Sequence, residues 1–284
     1  LYNTQSNGAL VAETSLRNKT VLISGGSRGI GLAIAKRLAE DGANIVLLAK
    51  TAQPHPKLPG TVYTAAEEIR QAGGQALPVV GDVREETDVQ AAVDGAVNEF
   101  GGIDVVINNA SAINLEPASD IDMKRYDLMQ DINARGTFLL TRTALPHLKD
   151  SADPRILSLS PPLNLSPKWL GAAPAYMIAK YGMSLATLGI GAQNNIPATC
   201  LWPKTTIQTA AVQYALGGST MYERSRTPEV YSDAAHVVLT AEPSRYAGQT
   251  VLCEDALEDA GVTDFAKYSP GVDSADLEKD IFVD

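Results

Sequence analysis

Tyr176 and Lys180 are the residues whose types and spacing most directly suggest chemistry. They lie four positions apart, so a helix would place both side chains on one face. A free phenol has a pKa of about 10 and is a poor base at neutral pH, but a nearby ammonium favours the phenolate. The pair is therefore suited to moving a proton to or from a carbonyl or alcohol oxygen. A surface pair with a snorkelling lysine would show the same spacing, so the surrounding elements must decide between the two interpretations.

Short apolar segments alternate along the chain with segments whose apolar residues have helical spacing. Most of the short segments are apolar throughout, as expected for parallel strands that are covered on both faces. The pattern predicts an α/β fold with a single Rossmann-type, doubly wound parallel sheet of about seven strands and helices on both faces. The predicted strands cover residues 20–25, 44–50, 76–83, 103–110, 155–161, 197–203 and 248–255. Tyr176 and Lys180 then begin the helix that follows the fifth strand.

The same pattern predicts three parts of the chain. Residues 1–15 form an N-terminal extension, residues 16–255 the sheet domain, and residues 256–284 an acidic C-terminal arm or tail. A tail is slightly favoured over an arm packed on a neighbouring molecule. The proline-rich stretch at 51–61 is too rigid for a helix and predicts an ordered surface loop.

Composition excludes several classes of function. The formal net charge of −10 over 284 residues argues against nucleic acid or an anionic membrane as a partner. No run approaches the roughly 20 apolar residues that would span a bilayer, and no secretory signal is visible. Cys200 and Cys253 lie in apolar runs and indicate free thiols in a reducing, cytoplasmic compartment. His55, His147 and His236 lack ligand spacing, so no metal site is expected.

A glycine-rich turn follows the first predicted strand and opens the first helix. Gly25, Gly29 and Gly31 allow the backbone to turn tightly and to approach a pyrophosphate with no Cβ in the way. The free N–H groups at the start of the helix would face the phosphates, with help from the helix dipole. Because the turn begins a series of strand–helix units, it predicts a dinucleotide site rather than a structural turn only.

The end of the second strand bears on the choice between NAD and NADP. Lys50 stands there with no adjacent carboxylate, and Arg28 lies in the glycine turn, so together they could bracket a 2′-phosphate. Both could instead be solvated surface cations, but NADP(H) is the predicted cofactor. Asp82, after the third strand, could accept from an adenine amino group or cap a helix. Asn109 could satisfy backbone groups at the sheet edge, line the cofactor, or do both.

The glycine turn, "INNA" at 107–110 and "YMIAK" at 176–180 together resemble the short-chain dehydrogenase/reductase family, from about Leu16 to Asp255. By this resemblance Tyr176 is the proton donor or acceptor, and Lys180 holds the nicotinamide ribose and tunes the tyrosine. Asn133 matches a helix asparagine that supports a water-linked proton relay. The cofactor-binding residues expected on this basis are Gly25, Ser27, Arg28, Gly29, Ile30, Gly31, Lys50, Asp82, Val83, Asn109, Ala110, Tyr176, Lys180, Pro203 and Ile207.

One expected group is missing. The family usually places a catalytic serine about thirteen residues before the tyrosine, where this chain has Leu163; alignment on the strand end gives Pro161 instead. That hydroxyl donates a hydrogen bond to the substrate oxygen as charge develops there. The groups that could replace it are Ser160, Asn164 and Ser166, and Ser160 is preferred because it ends the strand.

Two functions are consistent with these residues. The first is an NADP(H)-dependent oxidoreductase that interconverts an apolar carbonyl compound and its alcohol. Lipid-derived compounds are one class of such substrates. The second is an NADPH-binding scaffold or sensor, because the usual serine is displaced. Residues 217–225 lie where the family keeps a substrate lid; Tyr214, Met221 and Tyr222 could line an apolar slot there or serve in packing. Ser111 replaces the glycine that usually follows "NNA" and could crowd the nicotinamide side.

The long helices carry more apolar surface than one protomer would bury, which predicts a homodimer or homotetramer. Several loops also resemble a subgroup of the family whose longer members append a sterol-carrier domain, which this sequence is not expected to contain.

Overall fold

The computed structural model describes residues 15–54 and 60–284. Its strands are β1 (Thr20–Ser24), β2 (Asn44–Ala49), β3 (Gln75–Val80), β4 (Val105–Asn108), β5 (Arg155–Leu159), β6 (Ala198–Trp202) and β7 (Gln249–Leu252). They form one parallel sheet in the order β3-β2-β1-β4-β5-β6-β7. The predicted doubly wound sheet is confirmed, and each strand lies within one residue of its predicted range or inside it.

The helices connect successive strands and cover both faces of the sheet. They are α1 (Gly29–Glu40), α2 (Val62–Gln71), α3 (Glu86–Phe100), α4 (Met123–Met129), α5 (Gly136–Asp150), α6 (Pro167–Ala172), α7 (Pro174–Asn194), α8 (Gly218–Glu223), α9 (Glu229–Thr240) and α10 (Cys253–Asp259). One apolar core joins the sheet to α1, α2, α9 and α10, and a second joins its other face to α3, α5 and α7.

Period-two alternation assigns each strand residue to one of these cores. On β1, Val21 and Ile23 pack in the first core and Leu22 in the second, and all three are fully buried. A residue flanked by helices on either side cannot be polar without a partner, because an unpaired buried polar group costs free energy. The uniformly apolar strands of the sequence follow from this covering.

The helix before β5 has an irregular start that local sequence did not predict. Between α4 and α5, residues Gln130–Arg135 form a π-helical turn, a feature that is frequent at functional sites. Asn133 lies in this turn and is fully buried. The extra residue per turn alters which side chains point towards the sheet at the start of α5.

The C-terminal segment packs back onto its own domain. Lys279 pairs with Thr205 in an antiparallel bridge, and Thr206 donates to the carbonyl of Glu278 at 2.9 Å. Phe282 is 2% exposed and lies in the third apolar cluster. Residues 256–284 are therefore part of the packed domain, rather than the separate tail or the arm on a neighbour that the sequence indicated.

Two further expectations concern the surface. Residues 55–59 of the proline-rich stretch, including His55, lie outside the described residues. His236 bonds to Asp41 at 2.9 Å and to Arg37 at 3.2 Å, so it joins α9 to the end of α1. In the described ranges no group of three or more metal-binding side chains occurs, and no helix is long and apolar enough to cross a membrane.

Candidate active site

A cleft of about 880 Å³ lies along the edge of the sheet where the parallel strands end. Strand-to-helix turns of a doubly wound sheet diverge at this edge, which leaves a crevice between them. All fifteen residues predicted to bind the cofactor line this cleft. The two predicted site residues outside the lining are Asn133 and Ser160.

The glycine turn is built for close approach. Gly25 and Gly29 have φ values of 74° and 56°, a region that side-chain-bearing residues rarely adopt. A Cβ at Gly31 would lie 2.5 Å from the Asn109 Nδ2 atom, so no larger residue fits beside that amide. These glycines place the start of α1 directly against the cleft, where its N–H groups can receive an anion.

Ser24 and Asn109 tie the glycine turn to the end of β4. The Ser24 hydroxyl accepts from the backbone N–H groups of Asn109 and Ala110, and the Asn109 amide donates at 2.9 Å to the carbonyls of Ser24 and Gly25. Asn109 therefore satisfies backbone groups at the sheet edge and also lines the cleft. The structural role is therefore present, and contact with a cofactor stays a prediction.

The end of β2 carries a charge cluster. Lys50 lies 2.9 Å from Asp82, whose carboxylate also binds the Arg84 side chain at 2.6 Å. The hydrogen bonds from Arg84, with Lys50 beside them, hold the pKa of Asp82 well below its usual range. Arg28 donates to the Thr51 hydroxyl at 2.9 Å. Two cations, Arg28 and Lys50, thus line this end of the cleft against the single carboxylate of Asp82.

Asp82 is not a helix cap. Helix α3 begins at Glu86, with Glu85 as the residue before it, so Asp82 lies too far upstream to bond the first turn. Its carboxylate instead accepts from the Arg84 backbone at 3.0 Å. The sequence left open a helix cap and a contact with an adenine amino group. Only the second is compatible with this position, and it stays a prediction.

Tyr176 and Lys180 lie side by side at the other end of the cleft, in the first turns of α7. The Lys180 ammonium donates to the Leu159 carbonyl at 2.8 Å. Burial lowers the pKa of Lys180 to about 7, and the carboxylate of Asp280 opposes that shift. Burial also raises the pKa of Tyr176, and a hydrogen-bonding interaction with Ser111 acts against that rise. The phenol is therefore held protonated at neutral pH.

Asp280 is a third ionisable group at this end, and sequence reasoning missed it. It lines the cleft from the C-terminal segment, and burial raises the pKa of its carboxyl to about 7. The Ile281 N–H, which donates to it at 2.7 Å, and the Lys180 ammonium oppose this shift, while Glu254 adds to it. No local pattern could reveal it, because Asp280 is one hundred positions from Lys180 along the chain.

Asn133 lies one layer behind the cleft. Its side-chain oxygen accepts from the Ala112 N–H at 2.7 Å, and its amide donates to the Ala112 carbonyl at 3.0 Å. Both polar atoms of the side chain are thereby used by one residue of the segment that follows β4. Asn133 therefore holds the backbone of that segment in place at Ala112. The proton relay suggested for Asn133 stays a prediction.

The three candidates for the missing serine do not line the cleft. Ser160 is fully buried, and its hydroxyl has no hydrogen-bond partner among the described residues. The Asn164 amide donates to Asp284 at 2.8 Å, so it anchors the chain terminus. The Ser166 hydroxyl is buried and likewise without a partner in the described part of the chain. The structure places Ser160 in the interior, outside the cleft lining, and its role as the replacement donor stays a prediction.

The substrate end of the cleft is mainly apolar. The sequence left two roles open for three residues, an apolar substrate slot or packing. All three line the cleft: Tyr214, Met221 and Tyr222. Ile113 and Leu115, from the segment after β4, line it as well and were not predicted. Such residues could be found only by knowing that this segment returns over the sheet edge.

These features together define a class of protein. The chain matches the family model of short chain dehydrogenases over residues 19–209. It belongs to the short-chain dehydrogenase/reductase family, which confirms the resemblance seen in the sequence. Membership supports an oxidoreductase that acts on CH–OH groups with a nicotinamide cofactor, NAD or NADP.

More particular similarities exist. The chain is 52% identical over 252 residues to hydroxysteroid dehydrogenase-like protein 2 of Danio rerio, which covers 88% of this chain and 60% of that protein. It is 48% identical over 269 residues to the Homo sapiens protein of that name, with 93% and 63% covered. It also resembles the crystal structure of a short chain dehydrogenase from Mycobacterium thermoresistibile, at 56% identity, a TM-score of 0.88 and coverage of 95% and 96%. The chain spans about three fifths of the length of the curated relatives it matches.

The raised pKa of Asp280 predicts a pH-dependent effect on stability. Burial keeps a proton on the Asp280 carboxyl of the folded protein up to about pH 7, whereas the unfolded chain loses that proton near the ordinary pKa of 3.8. Stability therefore falls as pH rises through this window. We expect Asp280→Asn, which carries no such proton, to gain about 1–3 kcal/mol of unfolding free energy relative to the parent between about pH 5 and pH 8. Urea unfolding at both pH values measures this gain.

Asp276→Asn is the matched control, because Asp276 is an exposed carboxylate of the same C-terminal segment. Its difference from the parent should stay nearly constant with pH. The raised pKa of Asp280 would be contradicted if the unfolding free energy of Asp280→Asn differed from that of the parent by a constant amount. A gain that shrinks as pH rises would contradict it too.

Proposed function

We propose that this chain is an NADP(H)-dependent oxidoreductase that interconverts an apolar carbonyl compound and its alcohol, with Tyr176 as proton donor and acceptor. The observation that supports this most strongly is one continuous cleft with the glycine turn at one end and Tyr176 and Lys180 at the other. A dinucleotide bound on the glycine turn would extend towards these two side chains.

The residues of the site suit proton transfer coupled to hydride transfer. A nicotinamide cofactor held in this cleft would supply the hydride chemistry, at the carbonyl carbon in reduction and at the alcohol carbon in oxidation. In reduction, Tyr176 gives its phenolic proton to the carbonyl oxygen and becomes a phenolate. Lys180, held on the Leu159 carbonyl, stabilises that negative charge when it is protonated. In oxidation the same proton moves in the reverse direction.

The substrate is proposed to be apolar because of the surfaces that enclose this end. Ile113 and Leu115 lie on the side of the segment after β4, and Met221 and Tyr222 lie on α8. Burial of apolar substrate surface against such walls is favourable by about 25 cal/mol per Å². The lining therefore supports an apolar carbonyl compound, and lipid-derived compounds belong to this class.

NADP is favoured over NAD by the charge at the end of β2. A ribose 2′-hydroxyl needs an acceptor there, whereas a 2′-phosphate needs cations. Arg28 and Lys50 provide two cations, and the Asp82 carboxylate is already bound by Arg84. An additional phosphate would find charge-assisted donors from both cations.

A second candidate function is an NADPH-binding scaffold or sensor with weak catalysis. The specific observation in its favour is that none of Ser160, Asn164 and Ser166 lines the cleft. Loss of one such donor costs about 10²–10³ in rate, which would leave a poor enzyme if nothing replaces it. The retained Tyr176–Lys180 pair favours the enzyme, because a binding protein has no need of an acid–base group.

We also propose that the protein forms a homodimer or homotetramer in the cytoplasm. Phe138 on α5 and Ile178 and Leu185 on α7 are 50%, 47% and 59% exposed, and these two helices pack against each other. Large apolar side chains exposed together on neighbouring helices are typical of a self-association surface. The free and buried thiols Cys200 and Cys253 are consistent with a reducing compartment.

The first prediction concerns the acid–base group. Tyr176→Phe removes the proton but keeps the ring, so we expect NADPH oxidation with medium- and long-chain aldehydes and ketones to fall by at least about 10²-fold. NADPH affinity, measured by fluorescence titration, should stay within about twofold. Tyr181→Phe is the control, because its hydroxyl bonds the Asn164 carbonyl outside the cleft. Turnover that survives in Tyr176→Phe would refute the proposed mechanism.

The second prediction concerns cofactor choice. Arg28→Gln and Lys50→Gln each remove a cation, and we expect each to raise the KM for NADPH by about tenfold, the equivalent of about 1.4 kcal/mol. The KM for NADH should change little, because NADH lacks the phosphate. Lys36→Gln removes a comparable surface cation, paired with Glu68, and should leave both constants unchanged. An equal loss for the two cofactors would argue against 2′-phosphate recognition.

The third prediction concerns assembly. Sedimentation velocity of the parent should show a dimer or tetramer, and Leu185→Glu should shift it towards monomer, because burying an unpaired charge in an interface is costly. Leu165→Glu is the matched control: Leu165 is 66% exposed but lies in the loop before α6. A parent that sediments as a monomer, or equal shifts in both variants, would count against this surface.

A further inference from the structure

The hydroxyl that is missing after β5 has a counterpart after β4. The serine and threonine residues of the cleft lining are Ser27, Thr51, Ser111, Thr206 and Thr209. Thr51 bonds Arg28, and the Thr206 hydroxyl bonds the Ser225 hydroxyl at 2.7 Å. Ser27 belongs to the glycine turn, and the Thr209 methyl would lie 3.7 Å from a Cβ at Gly29. Ser111 is therefore the lining hydroxyl that lies at the chemical end.

Ser111 is close to the reacting group and free to turn. Ser111 and Tyr176 both line the cleft, and the Ser111 hydroxyl lies close enough to the phenol to oppose the rise in its pKa that burial causes. Its other contact, to the Ala112 carbonyl, is 3.5 Å long, at the limit of a hydrogen bond. The residue is exposed to the cleft rather than packed in the core. A weakly engaged hydroxyl beside the phenol can donate to an oxygen that both groups contact.

The backbone at this position is fixed from behind. Asn133 receives the N–H of Ala112 and donates to its carbonyl, so the residue next to Ser111 is clamped on both polar atoms. On the other side, Ser24 holds the N–H groups of Asn109 and Ala110. Ser111 thus lies between two anchored segments. Because the backbone is held in place, only the side chain has to turn for the hydroxyl to donate to an oxygen where charge develops.

We propose that Ser111 is a catalytic residue of this site and donates a hydrogen bond to the substrate oxygen beside Tyr176, in place of a hydroxyl from the end of β5. This inference rests on the proposed carbonyl–alcohol function. The hydroxyl keeps its own proton: Tyr176 transfers the proton to the oxygen, and Ser111 stabilises the negative charge that develops there during hydride transfer. No further reactant is required.

The buried strand-end hydroxyl supplies a matched comparison. Ser160 and Ser111 differ by a single feature that matters here, since one faces the interior and the other faces the cleft. Ser160→Ala removes a buried hydroxyl that does not face the cleft, so turnover should be unaffected. The same substitution at two serines therefore separates a donor to substrate from a buried strand-end serine.

The experiment measures kcat, KM and NADPH affinity for the parent, Ser111→Ala, Ser111→Thr, Ser160→Ala and Tyr176→Phe, with the most active aldehyde or ketone of the panel. We expect Ser111→Ala to lower kcat by about 10²-fold, since that is the typical loss for one oxyanion donor, and to leave NADPH affinity within about twofold. Ser111→Thr keeps the hydroxyl and should recover at least about tenfold of the lost kcat. Ser160→Ala should remain within about twofold of the parent.

The outcomes separate this inference from the proposed function. If the parent turns over with Tyr176 dependence but Ser111→Ala is as active as the parent, only the role of Ser111 is overturned. A loss of kcat in Ser160→Ala with a normal melting temperature would also overturn the role of Ser111, in favour of Ser160 at the end of β5. A parent that binds NADPH but shows no Tyr176-dependent turnover would overturn both proposals. Thermal melting of each variant identifies any loss that is due to misfolding.

Discussion

The buried ammonium of Lys180 is the constraint on which the chemical end of the cleft depends. Removal of a lysine from water is costly, and here it lowers the pKa of Lys180 to about 7. Two contacts compensate, with the carbonyl of Leu159 on β5 at 2.8 Å and with the ring of Trp202 on β6 at 5.1 Å. The Asp280 carboxyl of the C-terminal segment adds a favourable electrostatic interaction. Helix α7, two strands and the C-terminal segment must therefore all be in place before this group is held.

The aromatic cluster around Phe282 contributes to the stability of the fold and also contains Tyr176 of the candidate active site. Its ring contacts Trp169, Tyr176, Tyr181 and Trp202, with ring centroids 5.3–6.2 Å apart. Aromatic pairs of this kind add about 0.5–1.5 kcal/mol each beyond the area they bury. Tyr176, the proposed acid–base group, is thus also a core residue, and Phe282 helps to fix its ring. The Trp169 and Asn164 side chains further bind Asp284, which secures the segment from the other side.

The sequence was informative wherever a single element determines the outcome. The strands, the glycine turn and the Tyr176–Lys180 pair follow from period, turn chemistry and helical spacing. The residues that the family resemblance assigned to the cofactor line one cleft, because parallel strands end at one edge of the sheet. Contacts between distant parts could not be predicted in this way. Asp280 comes to the Lys180 end of the cleft because the C-terminal segment bonds the loop after β6, and Ser160 is buried directly after the end of β5. Asp82 does not cap a helix, because α3 begins at Glu86 and Glu85 is its N-cap residue.

The net charge of −10 also shows what composition can and cannot say about a ligand. It describes the field far from the protein, where salt screens charges beyond about 10 Å. Within the cleft the charges are local: Arg28 and Lys50 line one end beside Asp82, and Lys180 and Asp280 line the other. The phosphates of a dinucleotide are the anionic groups that the two cations at the first end could bind. The local arrangement therefore bears more on the affinity for an anionic cofactor than the acidic surface elsewhere, whose field is screened over such distances.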